Sequence, residues 1–198
     1  MKIDLTKIYT RLKAWRHERG ITAKGQKAEY IINVMEKFGE LASVLRDYEK
    51  SSKTYNLPDD LAYYDTVKKV AEHEIIDAIC DIAVFTINAG ADINCNEKTK
   101  IIDTIKTLQC NSNLSRLMVD CGEFNYYGSH VYFNNILVDC AEICEYYGFN
   151  FEIAMLEAIK KISSLTGTYD ENTKKWIINT NDKAKAKWYK ANYELAKV

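Results

Sequence analysis

The chain has 198 residues, 27 Lys and Arg against 28 Asp and Glu, one proline and eight glycines, with 47% hydrophobic and 12% aromatic residues. That length points to one domain, and so few turn formers argue against a many-stranded β protein and for helices. A net charge of −1 excludes a bulk grip on nucleic acid or on an anionic membrane, which would need a local basic patch.

The six cysteines, Cys80, Cys95, Cys110, Cys121, Cys140 and Cys144, contain no C-x-x-C pair, which speaks against a zinc knuckle or a thioredoxin-type site. The polar opening Met-Lys-Ile-Asp-Leu-Thr-Lys carries no apolar secretion segment, so the thiols are expected to be reduced and the protein cytoplasmic. The most apolar stretch, residues 75–89, is shorter than the roughly 20 residues a bilayer needs and contains Asp77 and Asp81. It is expected to be a core helix.

In chain order, Leu5, Ile8, Tyr9, Leu12 and Trp15 have helical spacing and precede Gly20, a C-cap residue. From residue 26 to 50, Ile31, Val34, Phe38, Leu41, Leu45 and Tyr48 form a stripe that specifies a long core helix. A polar connector leads to Pro58 and to Asp59-Asp60, which signal a helix running to about Ala89 before Gly90. Within 92–130, Ile101, Ile102, Ile105 and Leu108 suggest one helix, Leu114, Leu117 and Met118 another, and Tyr126-Tyr127-Gly128-Ser129 a loop. Residues 132–147 are helical again, Gly148 caps them, and Asn150 starts a helix over 151–165 that Gly167 closes. A short piece around Trp176-Ile177-Ile178 has the look of a small hairpin. The expected fold is an all-α helical bundle of about five main helices with an irregular or hairpin tail.

At about 100° per residue, Glu74, Asp77, Asp81 and Asn88 fall on one stripe of the third helix, flanked on both sides by apolar residues. A buried carboxylate needs a partner or a metal, yet from Val70 to Glu97 there is no Lys or Arg, so neutralisation must come from elsewhere. On the second helix Glu29, Asn33, Glu36, Glu40 and Asp47 share a face, and Glu36 and Glu40 stand one turn apart. Two alternatives stay open for each stripe. The second helix carries either a solvated acidic face or metal ligands, and the third either core carboxylates paired to distant bases or a metal site. All-oxygen ligation would suit Mg²⁺ or Mn²⁺ and not zinc.

Three segments carry a resemblance: Trp15-Arg16-His17-Glu18-Arg19-Gly20-Ile21, Glu36-Lys37-Phe38-Gly39-Glu40-Leu41, and Glu74-Ile75-Ile76-Asp77-Ala78-Ile79-Cys80-Asp81. Together they resemble the MazG-like superfamily of all-α nucleoside triphosphate pyrophosphohydrolases, most of all its phage-encoded members. The tail is similar as well, with Gly148-Phe149-Asn150-Phe151, Glu157 and Lys161, Lys175-Trp176 and Tyr189-Lys190-Ala191-Asn192-Tyr193, while residues 92–130 match poorly, as an insertion would.

The resemblance implies an oligomeric helical bundle that splits a (d)NTP into monophosphate and pyrophosphate, with Mg²⁺ held by E-x-x-E and E-x-x-D helices. Glu40 takes the second E-x-x-E position and Lys37 stands at the first, with Glu36 beside it; Glu74 to Asp77 is a literal E-x-x-D. Anchoring on Asp81 instead puts Ala78 at the acid position and leaves Asp77 and Asp81 as an i,i+4 pair. Glu36, Glu40, Asp77 and Asp81 are the implied catalytic and metal-binding acids, with Glu74 as a further ligand. Lys161 and Lys190 are candidates to neutralise phosphates, and Tyr193 or Trp15 to stack on a base. Lys183, Lys185, Lys187 and Lys190, beside Trp188 and Tyr189, form a solvated tail or a phosphate-reaching segment. The competing expectations are a non-catalytic helical interaction protein, which Lys37 and Ala78 favour, and an alarmone (ppGpp) hydrolase.

Overall fold

The computed structural model describes residues 2–54, 61–93, 101–103, 110–173 and 175–198, without the side chains of 51–54, 61–64, 101, 103, 110 and 111. In chain order it contains β1 (Lys2–Asp4), α1 (Thr6–Glu18), α2 (Ala23–Thr54), α3 (Leu61–Ala89), β2 (Ile101–Asp103) and α4 (Cys110–Tyr127). It continues with α5 (His130–Tyr146), α6 (Phe151–Ser164), β3 (Gly167–Asp170), β4 (Lys175–Ile178), α7 (Asp182–Lys185) and a 3-10 turn at Tyr193–Ala196. The expected all-α bundle is what forms.

The centre of the bundle is α3, where Ile75, Ile76, Ile79, Cys80, Ile82, Ala83 and Ile87 are all buried. A helix apolar nearly all round must be covered on every side, and α2, α5, α6 and α1 supply the cover. Tyr30 of α2 meets Thr86 of α3 at 3.2 Å and Lys37 meets Asp81, so numbers rise on one helix as they fall on the other and the pair is antiparallel. Caps fix the ends of the later helices. Ser129 Oγ accepts from Val131 N at 3.2 Å to start α5, and Asn150 Oδ1 accepts from Ile153 N at 3.0 Å to start α6. Gly20 after α1 and Gly148 after α5 sit at φ +65° and +77°, where a side chain would be strained.

Two local expectations are corrected. Residues 101–103 are not helical but pair antiparallel with β1, Ile3 opposite Ile102, and both isoleucines are buried. The remainder of the helix expected there, including Ile105 and Leu108, and the start signal at Pro58 to Asp60 lie outside the described residues. Tyr126 and Tyr127 are the last turn of α4, and only Gly128 and Ser129 separate it from α5. The hairpin around Trp176 is real: β3 and β4 pair with Tyr169 opposite Trp176. Cys80, Cys121, Cys140 and Cys144 are free and buried, Cys140 and Cys144 serving as core fillers.

Candidate functional site

The base-free acidic window of α3 is neutralised from two other helices. Lys161 of α6 places its Nζ 2.7 and 2.8 Å from the two oxygens of Asp77 and 3.1 Å from both oxygens of Asp81. Lys37 of α2 stands 3.2 Å from Asp81 Oδ2 and 2.8 Å from Glu40 Oε2. Three carboxylates thus share two ammoniums, which leaves one net negative charge. Burial raises the pKa of Asp81, outweighing the two ammoniums that oppose it. Burial works to lower Lys161 and Lys37, but the facing carboxylates win and both lysines are held above the ordinary value.

Tyr193 completes this cluster by donating its hydroxyl to Asp77 Oδ1 at 2.5 Å. It is buried, which pushes its pKa up and keeps it a donor. Its ring packs edge-on to His73, and its hydroxyl orients an acid. His73 Nε2 in turn stands 2.8 Å from Glu194.

A cavity of about 550 Å³ opens over this cluster and is lined by Glu74, Asp77, Lys161, Lys185, Trp188 and Lys190 among others. Residues chosen from three distant parts of the sequence meet there. Glu74 is exposed on the cavity wall, where the sequence suggested a buried stripe. Lys161 is engaged by the aspartates, whereas Lys185 and Lys190 are exposed. The Trp188 indole N–H is shielded from solvent and has no acceptor among the described residues.

Glu36 and Glu40 do not join the cavity lining described above; both are exposed, and Asp47 is solvated beside Lys50 at 3.8 Å. Most of that face of α2 is thus a solvated one. Among the described residues no three Asp, Glu, His or Cys side chains converge as ligands of one ion. Trp15 belongs to a second cavity of about 600 Å³, with Trp176, Phe85, Gln26 and Asn33. The Arg19 guanidinium lies 5.2 Å from the Trp15 ring and 5.4 Å from the Trp176 ring. Asn33 is one turn before Lys37 on α2 and Phe85 one turn after Asp81 on α3, so the two cavities flank the acid and lysine cluster.

Two buried carboxylate sites had no clear sequence signal of partnership. Glu157 of α6 accepts from Tyr189 Oη at 2.5 Å, from Asn192 N at 3.1 Å and from Lys160, which fastens the C-terminal strap over the cavity. Between α4 and α5, Arg116 donates from Nε to Asp139 Oδ1 at 2.6 Å and from Nη2 to Glu142 Oε2 at 3.0 Å. Burial pushes Asp139 up to about 6, and its Oδ2 has no partner among the described residues. Asp139 and Glu142 depend on a pairing between helices, and Glu157 on a non-helical C-terminal segment, neither of which spacing along one helix encodes.

In comparison with known proteins, the chain matches no family model, no curated protein and no solved structure. Among the described residues, no helix is long and apolar enough to cross a membrane.

Proposed function

We propose that this protein is a nucleoside triphosphate pyrophosphohydrolase that converts a (d)NTP to the monophosphate and pyrophosphate. The observation that carries this reading is the convergence of four carboxylate oxygens, from Asp77 and Asp81, on one cationic point in the wall of a cavity that also presents Lys185 and Lys190. Mg²⁺ is commonly bound by one or two carboxylates plus substrate phosphates and not by a full protein cage, so it would take these oxygens in exchange for the Lys161 ammonium that holds them here. Asp77 and Asp81 would hold it, with Glu74 beside Asp77 on the cavity wall and Asp81 buried behind it. When bound, the ion neutralises charge on the triphosphate.

The chain's own residues do the rest. Lys185 and Lys190 attract the phosphates, and the unpaired Trp188 N–H offers a donor to a phosphate oxygen. Glu74, without an ion-pair partner among the described residues, takes the proton of an attacking water as general base. Water oxygen bonds to the α-phosphorus, the bond to the bridging oxygen breaks in line, and pyrophosphate leaves with that oxygen. Trp15 and Trp176 offer aromatic faces and Asn33 and Gln26 amides for a base in the flanking cavity. Self-association belongs to the same proposal, supported by Ile32 and Met35, 61% and 67% exposed on α2.

A second reading, a non-catalytic bundle that binds partners, is favoured by the same two lysines, since they already neutralise most of the acidic charge. A panel of (d)NTPs and ppGpp with Mg²⁺ separates the readings. Asp77→Asn and Asp81→Asn are expected each to abolish pyrophosphate release; undiminished release from either variant removes that residue from the site. Turnover of ppGpp alone would move the substrate to the alarmone class.

A further inference from the structure

The second cavity, of about 600 Å³, has the size of a small-ligand site, and its aromatic walls are held in place. Trp15 donates its indole N–H to Ile162 O at 3.3 Å, and Trp176 lies against Gly167 of the opposite strand, where a methyl group would come within 2.7 Å of Nε1. The Arg19 guanidinium flanks both rings and donates to Ser163 O at 2.9 Å. One stripe of α2 brings polar groups to the same cavity, since Gln26, Glu29 and Asn33 stand a turn apart and all three line it. Glu29 pairs with Lys175 of β4, whose side chain is 60% exposed. Such exposed pairs contribute little to stability, so an entering ligand parts this one at little cost. Among the described residues, the side-chain amides of Gln26 and Asn33 make no hydrogen bond.

We propose that this cavity is a subsite selective for guanine: the base stacks on the two indoles, donates N1–H and N2–H to the Glu29 carboxylate and accepts at O6 from the Lys175 ammonium. This rests on the nucleotide reading above and narrows it from any base to one. The choice follows from the order of donors and acceptors. A carboxylate only accepts and an ammonium only donates, so the pair calls for a base edge with two adjacent donors followed by an acceptor. Guanine has that edge. Adenine and cytosine would each set a ring-nitrogen lone pair against a carboxylate oxygen, and thymine or uracil offers one donor between two acceptors. The amides of Gln26 and Asn33 both donate and accept, which suits any base. Glu29 is therefore the residue that discriminates, while Trp15 and Trp176 supply stacking that every base can use.

Isothermal titration calorimetry of the full chain with deoxynucleoside monophosphates in EDTA tests this, because it needs neither turnover nor a metal. Wild type is expected to bind dGMP at least about tenfold more tightly than dAMP, dCMP or dTMP. The inosine analogue dIMP, which keeps N1–H and O6 but lacks the N2 amine, should fall between. Glu29→Gln puts a donor in place of one accepting oxygen and is expected to weaken dGMP by about tenfold or more while leaving the other three bases within about threefold of wild type. Another base bound as tightly as dGMP overturns the inference and leaves the pyrophosphohydrolase reading standing. Glu29→Gln that folds by circular dichroism and keeps the preference overturns it as well, as does the absence of binding by every monophosphate. The pyrophosphohydrolase reading itself falls only if the triphosphate panel with Mg²⁺ is left unchanged.

Discussion

Lys161 Nζ bonds both oxygens of Asp77 and both oxygens of Asp81, 84 and 80 residues away in sequence. One ammonium thereby makes it possible for the most apolar helix of the bundle to carry two acids on one stripe. Removing one partner of a buried pair strands charge, at about 3–5 kcal/mol when burial is complete. Asp77 is partly solvated, with its side chain 33% exposed, so Lys161→Met is expected to cost about 2 kcal/mol, or about 4–8 °C in Tm for a chain of this size. Thermal melts in EDTA and in Mg²⁺ check this. The loss should be largest in EDTA and partly restored by Mg²⁺, and an unchanged Tm would contradict the pairing.

The Arg116 seam makes a pH prediction. Asp139 is held at about 6 by burial, above the roughly 3.9 of an unfolded chain. Its folded state therefore keeps a proton that the unfolded state has lost, and stability falls as pH rises from about 4 to about 6 before levelling. Urea unfolding of wild type and Asp139→Asn should show the difference moving in favour of the Asn variant by about 2–3 kcal/mol between pH 4 and 7. A pH-independent difference would contradict this.

Gly90 follows α3 where Phe133 of α5 presses against the backbone. A methyl group there would lie 2.6 Å from Phe133 Cε2 and 3.2 Å from Thr86 O. Gly90→Ala is therefore expected to destabilise the fold by about 1–3 kcal/mol through overpacking, read from the urea midpoint. An unshifted midpoint would show that Phe133 yields freely.

Glu157 is 2% exposed and holds the C-terminal strap through Tyr189 and Asn192. Glu157→Ala leaves a phenol and a backbone N–H without their acceptor, so amide exchange at Asn192 should rise by about tenfold or more. Unchanged exchange would mean that the strap is held by other contacts, such as Asn150 N to Ala196 O at 2.7 Å.

Much of this architecture is legible in the sequence because it is periodic. The apolar positions around α3 specify a buried helix, and acids with no base nearby require a partner from another element, which Lys37 and Lys161 turn out to be. The pairing of β1 with β2 was not legible. Three-residue strands joined across about a hundred positions leave no local period, and Ile101, Ile102, Ile105 and Leu108 have helical spacing of their own. Glu74 shows the limit of a helical wheel, which puts it in line with Asp81 but does not say where neighbouring elements stop covering the stripe. Trp15 lies in the other cavity for the same reason: the α1 sequence does not state that Ile162 O accepts its indole N–H at 3.3 Å.

The most direct test of the central proposal is phosphorus NMR of a dNTP panel incubated with the wild-type protein, with Mg²⁺ and with EDTA. The proposed function predicts equimolar monophosphate and pyrophosphate from at least one nucleotide, only when Mg²⁺ is present, and none from Asp77→Asn. An unchanged triphosphate spectrum across the whole panel, or release of orthophosphate with a diphosphate, would contradict it.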